Sequence, residues 1–249
     1  MSSPKTILAW HWSDGLKCRF DGRPIVPGKA LIYEGAEPIE LCKRGLHAST
    51  KILDALMFAP GTTISRVRLS GEILRGDNKI AATRRETIWS FDATYTLISW
   101  AADCAERALL RERKAGRESD RASFAAIDAA RKFVKEPSEA NRRAASVAGS
   151  AANAAGSAAY AADSAAYAVS CATYAANNAA FAAGSAAYAA SDAASAASYA
   201  VYAARNAASA ARNAAEVEGK DETAAYESER KWQSARLRNL IAAGRRPQL

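Results

Sequence analysis

With 249 residues and a net charge of +8, from 34 lysines and arginines against 26 aspartates and glutamates, the chain has room for one or two domains and permits an acidic partner without demanding one. Its four cysteines, Cys18, Cys42, Cys104 and Cys171, share no metal-ligand spacing and there are only two histidines, which argues against a metal site and for reduced thiols. No stretch reads as a secretory leader, and the alanine-rich part is too often interrupted by Asp, Asn, Ser and Arg to span a bilayer, so a soluble, cytoplasmic protein with no cofactor and no membrane partner is expected.

Thr6 to Trp12 mixes β-branched and aromatic residues, stops at Ser13-Asp14-Gly15, and is followed by a short apolar piece at Cys18 to Phe20, which together read as a hairpin. Ala30 to Tyr33 reads as a short strand between turn signals. Ser49 or Thr50 is placed to cap a helix through about Phe58, ended by Pro60-Gly61. Thr63 to Leu69 alternates Ile64, Val67 and Leu69 with Arg66 and Arg68, a strand with one wet face. Gly71 to Leu74 continues it after a bulge, and Ile80 to Trp89 is strand or extended, with Arg84, Arg85 and Glu86 on its solvated parts. Residues 1–91 are therefore expected to form an α+β head.

From Asp92 the period becomes helical, with Ala93, Leu97, Ile98, Ala101, Cys104, Ala105, Ala108 and Leu109 on one stripe. Residues 92–136 read as connecting helices, the second from Arg121 to Lys135; Pro137 breaks the chain and Ser138 caps the next element. Over 137–218 the chain repeats every seven residues, with alanine at the first position of each unit from Ala144 to Ala214 and nearly always at the second, fourth and fifth. Alanine is the best helix former, and a sustained seven-residue period implies a left-handed supercoil. At roughly 103° per residue the four alanine positions cover an arc of about 155°, broader than a leucine-zipper seam. Asp221 caps a last helix within residues 219–249, bulkier than the repeat.

Unbroken, the repeat would be on the order of 105 Å long. One continuous helix is the favoured expectation, with a hairpin turning at Asn177-Asn178 as the alternative. The methyl face, represented by Ala151, Ala158, Ala165, Ala172, Ala179, Ala186 and Ala193, predicts packing on partner helices and hence a homo-oligomeric coiled coil or bundle. The third position carries an aromatic ladder of Tyr160, Tyr167, Tyr174, Phe181, Tyr188 and Tyr202, either a second packing seam or a face for a ligand or host protein.

In residues 44–92 the run Arg44-Gly45-Leu46-His47-Ala48-Ser49, followed by Asp54-Ala55-Leu56, Ala59-Pro60-Gly61, Arg66-Val67, Leu69-Ser70-Gly71, Gly76-Asp77, Lys79, Ala82-Thr83-Arg84-Arg85 and Trp89, resembles an uncharacterised domain of phage and prophage proteins that is often joined to alanine-rich or pentapeptide repeats. The resemblance covers about a fifth of the chain. It implies a phage origin and a head-plus-repeat design, in the cytoplasm of an infected bacterium, and it brings no catalytic assignment.

His47 sits between a glycine turn and a helix start, with Arg44 upstream and Glu86 available as a lone acid. That permits a nucleotide-handling site in which the turn receives a phosphate; the alternative is a turn histidine that hydrogen-bonds the backbone. His11, between Trp10 and Trp12, reads as a strand residue facing away from both indoles. No phosphate loop, nucleophile elbow or paired-carboxylate signature is present, and the arginine clusters are interleaved with acids, which disfavours nucleic acid as a partner. The expected function is a non-catalytic, oligomeric phage scaffold or binding module presenting its heads. Its alternatives are a counter-defence protein that sequesters a nucleotide signal or host effector, and a nucleotide-handling enzyme centred on His47.

Overall fold

The computed structural model describes residues 6–19, 21–114, 121–163 (backbone alone from 155), 188 and 195–244. These belong to two compact units that divide after Ala93. The first is α+β, with one antiparallel sheet; the second is helical.

The sheet contains β1 (Ile7–Ser13), β2 (Ala30–Ile32), β3 (Leu46–Ala48), β4 (Thr63–Arg75) and β5 (Ile80–Asp92), with α1 (Ile52–Leu56) between β3 and β4. The strand order is β1-β4-β5-β2, and β3 also pairs with β5. β4 and β5 form one long hairpin, from Thr63↔Asp92 to Arg75↔Ile80. The expected bulge is present where the register slips between Ser70 and Ile73. Gly71 sits there at φ 79°, and a side chain on it would collide with Thr83 Oγ1, which instead accepts the Glu72 N–H at 3.0 Å.

The expected hairpin between Thr6–Trp12 and Cys18–Phe20 does not form. β1 pairs with β4, from Ile7↔Leu69 to Ser13↔Thr63, while Lys17 makes only a single bridge to Pro24. Burial accounts for the choice, because Ile7 and Ala9 meet Leu69 and Val67 in register and join Ala48, Ile80 and Ala82 in the core. The helix after β3 is also shorter than expected, and neither Ser49 nor Thr50 caps it: Lys51 holds the cap position without a side-chain bond, and the Ser49 N–H and carbonyl are engaged with the backbone of Trp10, at 3.0 and 2.7 Å.

The helical unit consists of α2 (Thr94–Lys114), α3 (Arg121–Lys135), α4 (Glu139–Asp163), α5 (Ala196–Val217) and α6 (Glu222–Gly244). Both predicted caps are in place, with Asn141 N–H donating to Ser138 Oγ at 3.1 Å and Ala224 N–H to Asp221 Oδ1 at 2.9 Å. α5 ends on Gly219 at φ 65°, where Lys220 N–H reaches back to Ala215 O and Gly219 N–H to Glu216 O.

A single straight rod is ruled out. Ser150 Oγ and Tyr188 Oη are 3.0 Å apart, although 38 residues of continuous helix would separate them by about 57 Å. Ala145 and Ala196 likewise share one core cluster with Ile98, Ala130 and Phe133. The chain therefore reverses between α4 and α5; Asn177-Asn178 lies outside the described residues. Nor is a coiled-coil tail seen among the described residues. The methyl face of α5 is bedded inside its own unit: Ala196, Ala197, Ala200, Ala203, Ala204, Ala207, Ala208, Ala210, Ala211, Ala214 and Ala215 are all buried, and all occupy the first, second, fourth or fifth place of the repeat. α2 and α6 pack on α5 and bring the bulk it lacks, with Trp100, Leu97, Leu237 and Ile241 fully buried. Folding back covers these methyls with bulky side chains of the same polypeptide.

Polar contacts fix this packing. Glu229 of α6 is wholly buried and receives Arg107 at 2.8 Å and Arg111 at 2.7 Å from α2. One turn on, buried Gln233 donates to Ala204 O at 2.8 Å and accepts the Trp100 indole N–H through its own carbonyl at 2.9 Å. Asp103 joins Arg131 and Arg236, and Arg131 also reaches Glu106. No helix among the described residues is long and apolar enough to cross a membrane.

Removing the Glu229 carboxylate leaves two converging guanidinium groups without their shared partner. Glu229→Ala is expected to destabilise the helical unit by about 3 kcal/mol, read as a lowered urea midpoint in far-ultraviolet circular dichroism. A midpoint within experimental error of the parent would show that the pair contributes nothing.

Candidate functional site

The N-terminal unit encloses a cavity of about 370 Å³ between β1, the end of β3, β5 and the loop before β3. His11, Cys18, Tyr33, Cys42, His47, Phe58, Lys79 and Arg85 are among the residues that line it. Both histidines of the chain meet there.

Arg85 is central. It lies on β5 opposite Leu69 of β4 on one side and Leu31 of β2 on the other, so its side chain starts in the middle of the sheet and remains 3% exposed. Its Nη1 donates to the His47 carbonyl at 2.8 Å and lies 3.3 Å from His11 Nδ1; its Nη2 reaches Cys18 Sγ at 3.4 Å. No carboxylate pairs with it among the described residues, and its Nε has no partner. Burial pulls the guanidinium down from its ordinary pKa, with Cys18 and Asp21 opposing, yet an arginine remains charged.

That contact determines the state of His11. A guanidinium only donates, so His11 Nδ1 accepts and the neutral ring carries its hydrogen on Nε2, which is buried without a partner. Burial, with Arg85 and then His47 adding to it, holds His11 well below the usual histidine range.

His47 is occupied differently. Its Nε2 accepts the Cys42 N–H at 3.1 Å, which leaves the hydrogen on Nδ1; burial lowers its pKa, with the backbone of Glu40 and Gly45 opposing. The His47 ring thus serves the backbone of the 40–45 loop, the bland alternative raised by the sequence. Arg44 is held by the same loop, pairing with Glu37, with Glu40 at 2.8 Å and with the Pro38 carbonyl at 3.1 Å. Glu86 does not join them. Successive strand residues face opposite ways, so with Arg85 turned inward Glu86 points out, to Arg68 at 3.0 Å and Arg84 at 3.7 Å.

Arg85 and His11 are the residues that sequence reasoning passed over. Arg84, Arg85 and Glu86 were assigned together to solvated parts, but a strand cannot turn three consecutive side chains to water, and that alternation was the available signal. Cys42 is a further surprise, at φ 69° in a conformation uncommon for a residue with a side chain.

Of the aromatic ladder, Tyr202 is 54% exposed and Tyr188 bonds Ser150 and lies with its ring 5.6 Å from that of Tyr199. The Tyr160 side chain, Tyr167, Tyr174 and Phe181 lie outside the described residues. Of the alanines assigned to an oligomer face, Ala151 is exposed; the Ala158 side chain, Ala165, Ala172, Ala179, Ala186 and Ala193 lie outside the described residues. No cluster of His, Cys, Asp and Glu suited to a metal ion occurs among the described residues.

The two depressed histidines set a pH dependence. Below about pH 6.5 the unfolded chain takes up protons that the folded unit refuses, so stability is full above that value and falls as the pH drops toward the lowered folded values. Tryptophan-fluorescence melts are expected to show an early loss between pH 7.5 and 5.5 that His11→Asn reduces. A flat profile over that range would refute the assignment.

Compared with protein-family models, with curated proteins and with solved structures, the chain matches none of them.

Proposed function

We propose that the N-terminal unit is a binding module that captures a small anionic molecule of the nucleotide class, and that it holds this ligand rather than transforming it. The observation that carries the reading is Arg85, a guanidinium removed from water with no carboxylate in contact with it among the described residues. Burying a charge in that way costs several kcal/mol, and an anion entering the adjoining cavity offsets the cost. The cavity, at about 370 Å³, is within the size range of small-molecule sites; Tyr33 and Phe58 supply ring surfaces on its lining, and the cationic Lys79 lies over the Phe58 ring. A non-catalytic role accords with His47, whose ring is committed to the loop backbone. In the phage setting that the sequence resemblance suggests, capture of a nucleotide signal would serve counter-defence.

Millimolar nucleoside monophosphate, cyclic dinucleotide or inorganic phosphate should raise the melting temperature of the full chain by a few degrees, adenosine should do so less, and Arg85→Met should abolish the rise. Absence of a shift with every anion would overturn this reading.

A second element concerns assembly. Along α4, Ala145, Gly149 and Ala152 are buried, whereas Ala144, Val147, Ala151 and Ala154 are exposed, with Val147 at 71%. This outward apolar stripe favours a second copy of the chain as its partner, so that several heads are presented together. Sedimentation should show concentration-dependent association that Val147→Glu abolishes; a monomer at every concentration would remove the proposal.

A further inference from the structure

We propose that Cys42, at the rim of the same cavity, is a reactive thiol that forms mixed disulfides with small anionic disulfides, and that the adduct closes the cavity. The chemistry rests on the local geometry; the consequence, closure of an anion site, rests on the reading of the head given above.

Cys42 is exposed, and its backbone is held in the left-handed region by neighbours that leave the sulfur outward. His47 Nε2 takes its N–H at 3.1 Å, and the Glu40 carbonyl takes the N–H groups of Lys43 and Arg44 at 3.2 and 2.9 Å. The thiol is therefore presented from a braced loop. Lys79 Nζ lies 3.2 Å from its sulfur and 3.6 Å from the centre of the Phe58 ring, so a donor already stands where negative charge develops on sulfur. Cys18 and Cys104 contrast with it: both are buried, and burial pushes both thiols up from the ordinary range.

A second, independent feature of the cavity says which partner fits. Arg85 lines it with an unpartnered Nε and, like Lys79, has no carboxylate paired to it among the described residues. The field at the rim thus favours a disulfide that carries carboxylates over one that carries amines. In the exchange, the deprotonated Cys42 sulfur attacks one sulfur of the small disulfide and the old S–S bond breaks. The departing thiolate takes a proton from water. Cys42 is oxidised to the mixed disulfide and the released half is reduced to a thiol.

The test treats the full chain, under native conditions, with oxidised glutathione or with cystamine, and follows adducts by peptide mass spectrometry. Cys42 should react about tenfold faster than Cys18 or Cys104, and faster with oxidised glutathione than with cystamine. Lys79→Met, checked for an unchanged melting curve, should slow the reaction at Cys42 about fivefold, and Lys79→Arg should keep most of the rate. The glutathione adduct should also lose the thermal shift that nucleotide gives the reduced protein. Equal rates at the three thiols, a rate indifferent to Lys79→Met, or a preference for cystamine would overturn the reactive-thiol assignment, whether or not the reduced protein binds nucleotide. An adduct that retains the nucleotide shift would overturn closure. A modified Cys42 in a protein that shows no anion shift even when reduced would leave the thiol chemistry standing and remove the anion site that it was to close.

Discussion

A guanidinium that begins on the middle strand of a sheet and faces the covered side is kept from water, and at Arg85 it must be satisfied by whatever the neighbouring strands provide. They provide a carbonyl from β3, an imidazole nitrogen from β1 and a thiol from the loop after β1. Each of those contacts fixes something else. The carbonyl belongs to His47, whose ring braces the 40–45 loop; the imidazole is forced into one tautomer; the thiol is drawn inward. The cavity is what remains among these groups, and its positive character follows from Arg85 having no carboxylate in contact with it among the described residues, since Asp21 on the lining is paired with Arg23. An isosteric apolar residue on β5 would give a simpler core, so the arginine is best understood through the cavity it faces.

The helical unit solves the opposite problem. Alanine forms helix readily and buries little, so an alanine-rich helix needs partners whose side chains are large. α2 and α6 supply them, and the buried Glu229 and Gln233 add direction to a contact that methyl groups alone would leave free to slide. The polar groups set the register and the methyls allow close approach.

Much of this was legible in the residues. The α+β head, the bulge near Gly71, the caps at Ser138 and Asp221, and the four repeat positions that α5 buries all follow from local rules of turn chemistry and periodicity. The contacts between distant segments were not legible. Nothing near Trp10 announces that its strand pairs with Thr63–Leu69 rather than with Cys18–Phe20. Nothing in an unbroken heptad phase announces a reversal, since a turn that consumes whole units leaves the phase intact. The site was hidden for the same reason: His11 and Arg85 are 74 positions apart, and the burial of Arg85 depends on which strands flank β5. His47, by contrast, drew attention through its local setting, and that local setting is what it serves.

The pairing of β1 with β4 also bears on how the head comes into being. β1 is made first, yet its partner begins some fifty residues later, and no local hairpin shelters it in the meantime. During synthesis Trp10 and Trp12 stay uncovered until Thr63–Leu69 has emerged, and Arg85, which meets His11, arrives later still. A non-local topology of this kind folds slowly and leaves an aromatic strand edge open to wrong partners. The head is thus most vulnerable to aggregation while its chain is still growing, and the helical half, made after it, emerges behind a head that already has all of its strands.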